Sequence, residues 1–197
     1  MFREIQKLSI LFLLALSTGT AFAGTILVQG TGTANYQIAA HAPIGQSFTT
    51  IDTTVSVGLE FAAINTSASN DDDIRYDLYD GYGTGGSLLG SSTFSLATGF
   101  TGFHMVNFSS ISLILGNEYT LVSSIVGNSS HWGLLASGAD IYSGGSSVGD
   151  WSFFTPSEIN IQVVGIPFVS SVPEPASIIL LGLGLLGIRS RQLLKKS

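Results

Sequence analysis

Between residues 24 and 168 apolar side chains recur with a period of two, and short clusters of Gly, Asn, Asp and Ser keep interrupting them. The plainest case is Ile74, Tyr76 and Leu78 alternating with Arg75, Asp77 and Tyr79. That period puts one set of side chains on one face of a strand, whereas a buried helix face needs apolar residues three and four apart. No comparable helical periodicity occurs outside the two terminal segments. The expected strands are Thr25–Gln29, Gln46–Thr50, Thr54–Ile64, Ile74–Tyr79, Leu88–Phe94, His104–Phe108, Tyr119–Val126, His131–Ala136 and Ile159–Gly165. Turn residues at Asn70–Asp73, Gly81–Gly86, Leu115–Asn117 and Ser143–Gly149 separate them. The pattern predicts an all-β fold, an antiparallel β-sandwich of jelly-roll type with eight or nine strands. About 145 residues suffice to bury a core of that kind.

Charge sharpens the reading. Only 10% of the 197 residues are charged, and the net charge is −6. Six of the seven basic residues lie at the ends, leaving Arg75 alone between them. Glu4 and Glu174 are the only two of the 13 acids outside residues 24–172, so the middle holds 11 acids against one base. Such a surface repels phosphate backbones, because nucleic-acid affinity comes from Lys and Arg displacing counterions. A nucleic-acid partner is excluded. The chain has no Cys, which removes disulfides, thiolate metal sites and a Cys nucleophile.

Both ends have the layout of targeting segments. Met1–Lys7 is a short basic stretch, Leu8–Leu16 is apolar, and Ala21 and Ala23 place small residues before Gly24. This is the three-part pattern of a secretory signal peptide over residues 1–23, with cleavage before Gly24. At the other end a 169–175 linker contains Pro173, Glu174 and Pro175. Each proline fixes its own φ and disfavours helix in the residue before it. Ala176–Ile188 then carries no charge. A transmembrane helix is expected over 176–191, followed by a basic tail over 192–197. Thirteen residues give roughly 20 Å, short of the ~30 Å hydrocarbon core; snorkelling of Arg189 and Arg191 and inclusion of Leu193 and Leu194 can extend the span. Arg189, Arg191, Lys195 and Lys196 form a stop-transfer cluster that stays cytoplasmic and leaves the 24–168 domain outside.

This C-terminal segment resembles the PEP-CTERM sorting signal of Gram-negative bacteria, in the Pro173-Glu174-Pro175 motif, the Leu/Gly-rich run Ile178–Ile188 and the basic terminus. The resemblance implies that an exosortase recognises Pro173, Glu174 and Pro175. It also implies export to the periplasmic side of the inner membrane, then the cell surface or the medium, and an association with exopolysaccharide or biofilm. The middle is similar to jelly-roll ectodomains found ahead of such anchors, through Gly45–Thr49, Ile74–Tyr79, Leu115–Thr120 and Tyr142–Ser146 before Trp151.

Other motifs carry less. Gly81, Gly83 and Gly86 match a dinucleotide fingerprint by letter, but a strand follows them where the motif needs a helix. Gly145-Ser146-Ser147-Val148-Gly149 fits a nucleophile-elbow pattern, yet it lies in a Ser/Gly turn, and nothing marks His41, His104 or His131 as its base. Asp71, Asp72 and Asp73 are hard oxygen donors suited to a structural Ca²⁺, set against the simpler reading of a solvated turn. Tyr82 and Tyr142, in Gly-rich turns, are the candidates for stacking on a glycan. No other cofactor is expected. The sequence points to an exported, non-catalytic surface or matrix protein, with a carbohydrate-binding module as the alternative and a secreted hydrolase third.

Overall fold

The computed structural model describes residues 24–30, 34–64, 73–127, 131–150 and 158–166. Among them run twelve strands: β1 (Thr25–Val28), β2 (Ala34–Gln37), β3 (Ile44–Thr49), β4 (Val55–Ala63), β5 (Asp73–Asp80), β6 (Leu88–Ser95), β7 (Thr101–Asn107), β8 (Glu118–Val126), β9 (Trp132–Ser137), β10 (Ser147–Val148), β11 (Glu158–Ile159) and β12 (Ile161–Gly165). A single helical turn, α1 (Ile38–His41), follows β2.

The strands form two antiparallel sheets. One contains the path β1-β12-β4-β7 and the other the path β3-β8-β5-β6. Apart from the β5–β6 hairpin, the eight strands on these paths alternate between sheets in chain order, and the first pairs with the last. That winding is a jelly roll. Strands β2 and β11 extend the first sheet through β9, and β10 edges the second beside β3. The all-β sandwich expected from periodicity is therefore present.

The core lies between the sheets. In β5, Ile74, Tyr76 and Leu78 are fully buried while their neighbours are not. Val55, Val57, Leu59 and Phe61 are fully buried on β4, as are Ile159, Ile161 and Val163 on the last two strands. Eight expected strands keep their place, with ends shifted by one to three residues. The ninth needs correction. Ile159–Gly165 is not one ladder, because pairing passes from β9 to β4 at Asn160, whose N–H bonds Leu135 O while its C=O accepts from Glu60 N–H. The expected Ser143–Gly149 turn contains β10, and β2 and α1 appear where only loop was expected.

Tyr76 pins the two sheets together. Its ring belongs to β5, but its hydroxyl accepts from Leu59 N–H at 2.9 Å and donates to His104 O at 3.2 Å, and those two residues are register partners in the opposite sheet. Burial holds this phenol well above its usual pKa. Edge-on contacts with Phe94 and His104 and a stacked contact with Phe61 surround the ring. Removing the hydroxyl strands a buried N–H and C=O. Tyr76→Phe should therefore cost about 1–3 kcal/mol in chemical denaturation, and an unchanged midpoint would refute the pin.

The winding also fixes where the chain enters and leaves. β1 runs antiparallel to β12, so Gly165 N–H bonds Gly24 O at 2.9 Å. Ile166 N–H bonds Thr54 O, and Thr54 Oγ1 returns a bond to Ile166 O at 2.8 Å. Both ends of the domain thus meet at one pole of the sandwich. The Thr50–Thr54 turn sits there too and holds the β7–β8 loop, through Leu113 N–H to Thr53 O and Gly116 N–H to Thr50 O.

Candidate functional site

The most unusual chemistry is a set of polar side chains enclosed in strands that otherwise bury apolar ones. Gln46 lies in phase with Ile44 and Phe48 on β3 and is fully buried. Its amide Nε2 donates to a Glu158 carboxylate oxygen, and its Oε1 accepts from Ile159 N–H at 2.9 Å. The side chain therefore ties the second sheet to β11 of the first. The Asp140 carboxylate also acts on Glu158. A second negative charge nearby disfavours ionisation of Glu158. Burial above all, then Asp140, pushes Glu158 up to about 7, against a smaller downward pull from the Gln46 amide.

A second polar group stands where pairing switches at Asn160. Glu60 accepts from Gln29 Nε2 at 3.2 Å and from Asn160 Nδ2 at 2.7 Å, while Asn160 Oδ1 accepts from Gly30 N–H. Glu60 and Asn160 are buried. The bonds satisfy the polar atoms that a change of ladder partner exposes. Neither group was singled out from the sequence. The readable signal was a lone polar residue at an inward position, as Gln46 is between Ile44 and Phe48.

The expected site residues separate. Asp71 and Asp72 lie outside the described residues; Asp73, opening β5, accepts from the Ser95 hydroxyl at 2.6 Å. Asp77 faces away from the core, as expected, and is held by Arg75 Nε at 2.8 Å and by the Ser91 hydroxyl. Among the described residues no three His, Asp or Glu side chains gather as metal ligands. Tyr82 is exposed on the β5–β6 loop, with its hydroxyl donating to Ser147 O. Tyr142 packs on the core, and its phenol accepts from Thr49 N–H at 3.0 Å. Burial raises the pKa of that phenol. The two rings thus approach the β3–β10 edge in different ways, one open and one half-enclosed.

Ser146 is held by backbone and hydroxyl bonds with Ser47. His41 Nδ1 bonds Asp150 O, and His104 stacks on Phe94 at 3.7 Å, where burial lowers its pKa. Gly81, Gly83 and Gly86 sit in the turn between β5 and β6, and a strand follows them. Gly24 begins the described chain beside β12. Ala21, Ala23, Pro173, Glu174, Pro175, Arg189, Arg191, Lys195 and Lys196 lie outside the described residues, as does the 176–191 segment. Among the described residues no helix is long and apolar enough to cross a membrane.

Residues 171–192 match the PEP-CTERM protein-sorting motif. No curated relative matches the chain. Among solved structures, a chain of infectious bursal disease virus, Gx strain, is 14% identical with a TM-score of 0.32, covering 85% of this chain and 51% of its own. The VP2 subviral particle of infectious bursal disease virus gives 13% identity and a TM-score of 0.28, covering 86% of this chain and 49% of its own. The chain thus spans about half the length of these solved chains. The jelly-roll assignment rests on the strand order itself. The described residues thus form an all-β jelly roll, and beyond them the chain carries a PEP-CTERM protein-sorting motif at residues 171–192.

Proposed function

We propose that this is an exported, non-catalytic protein whose jelly roll is delivered outside the inner membrane and then sorted by exosortase through Pro173-Glu174-Pro175. The observation that carries this reading is the sorting motif at 171–192, which begins five residues after Ile166, the last described residue of the domain. Residues 1–23 direct export and are removed before Gly24. The final destination is the cell surface or the extracellular matrix, where the domain serves a structural or adhesive role in exopolysaccharide. That finer role follows from what the sorting signal implies for the proteins that bear it.

The test is Glu174→Ala in the native host. The variant should accumulate as a longer form in the membrane fraction while the wild type is shortened at its C-terminus. Normal shortening of the variant would show that the Pro-Glu-Pro unit is not what the enzyme reads.

A further inference from the structure

The three most exposed large apolar side chains among the described residues are Ile114 at 64%, Leu115 at 63% and Tyr82 at 58%. All three belong to the pole at which the chain enters and leaves. Ile114 and Leu115 form the tip of the β7–β8 loop, which is fixed to the Thr50–Thr54 turn by Leu113 and Gly116. The same turn holds Ile166 through Thr54. Tyr82 follows Gly81, whose N–H bonds Glu118 O at the start of β8. Folding leaves these side chains uncovered although the core buries Leu113 and Tyr119 on either side of the tip. The tip is also stiff: Asn117 N–H bonds Ile114 O, and Tyr119 hydroxyl accepts from Ile114 N–H at 2.9 Å. A rigid apolar pair at the same pole as an amphipathic tyrosine suits the interfacial layer of a bilayer, where aromatic rings with a polar end concentrate.

We infer that this pole rests on the membrane surface, with Ile114 and Leu115 inserted among the lipids and Tyr82 at the headgroup level. The inference rests on the reading of the C-terminal segment as a membrane anchor. The chain outside the domain argues for lipid as the occupant. Nine residues, 167–175, separate Ile166 from the expected membrane segment at 176, and an extended chain spans at most ~3.6 Å per residue, so this pole lies within roughly 32 Å of the bilayer. The pole that emits this short connection is the one that carries the apolar tip. Its charges specify the lipid. Asp52, Asp80 and Glu118 lie at this pole, and Arg75, the only base between the two ends, lies within β5. The surface fits zwitterionic headgroups and is repelled by anionic ones.

The absence of Cys makes the test direct. Ile114→Cys and Val126→Cys, each carrying one environment-sensitive fluorophore, are reconstituted as full-length chains in phosphatidylcholine vesicles. Val126 is 47% exposed at the end of β8, the opposite pole. Flotation establishes anchoring, aqueous iodide probes exposure, and doxyl-labelled lipid probes contact with acyl chains. The label at 114 should be quenched by iodide at least about fivefold less than the label at 126, and by doxyl lipid more, as expected for an inserted side chain. Equal iodide quenching on floated protein overturns the docking alone. Protection from iodide without quenching by doxyl lipid means that a second copy covers the tip, and also overturns it. Failure to float overturns the anchoring reading, and this inference with it.

Discussion

Gly45→Ala is expected to leave the protein without a stable jelly roll. Gly45 pairs with Val122 of β8, a strand with neighbours on both sides, and an added Cβ would lie 1.9 Å from Leu121 O and 2.7 Å from Val122 Cα. Both atoms are backbone, so no side-chain rotation relieves the clash. The two strands must part, and β8 also carries the ladder to β5. Overpacking a core typically costs 1–3 kcal/mol; a clash that separates two central strands should reach about 3 kcal/mol or more. The control is Gly85→Ala, where nothing lies within 4 Å of the added carbon. Thermal unfolding should show the control within a degree or so of the wild type, as for surface changes away from special features. Gly45→Ala melting beside it would contradict the β3–β8 packing.

The second large effect depends on pH. The folded chain holds the Glu158 carboxyl up to about 7, against an ordinary value of 4.5. Below the ordinary value both folded and unfolded chains keep the proton, and the group imposes no penalty. Between 4.5 and about 7 the unfolded chain releases a proton that the folded chain retains. Stability therefore falls as pH rises through that window and levels off above it. The full difference is about 3 kcal/mol, or several degrees in Tm for a domain of this size. Glu158→Gln cannot ionise and can still accept from the Gln46 amide through its own oxygen. Its Tm should stay level across the window and exceed that of the wild type at pH 8. A wild type whose Tm rises from pH 5 to pH 8, with Glu158→Gln showing no gain there, would contradict the burial and the Asp140 contact.

Both predictions come from places where the strand pattern is read with different success. Alternation was legible wherever one face is buried and the other wet, as in β5, because a one-residue slip there would turn Ile74, Tyr76 and Leu78 outward. The short strands β2 and β10 were not, since Ala34–Gln37 and Ser147–Val148 offer little apolar contrast and are held by their ladder partners, β9 and β3. Asn160 hid a change of partner inside one apolar run, because alternation records which face a residue takes and not which strand lies alongside. The polar pair at the sheet junction was half visible: Gln46 falls on the inward phase of β3, but its partner is 112 residues away. Tyr76 reads as plain core, and only the register of Leu59 with His104 gives its hydroxyl a purpose. The sorting motif was legible in full, because a linear signal read by an enzyme is carried by order and spacing. Its sandwich is a tertiary object, and fold alone assigns no activity.

Export followed by sorting at the Pro-Glu-Pro unit is read out by the intact mass of the protein recovered from its native host. That mass should match a chain that starts at Gly24 and ends near Pro175, so that the jelly roll is the finished product. A recovered chain that still runs from Met1 to Ser197 would contradict both export and processing. One that starts at Gly24 but ends at Ser197 would contradict the sorting step and leave the C-terminal segment as a permanent anchor.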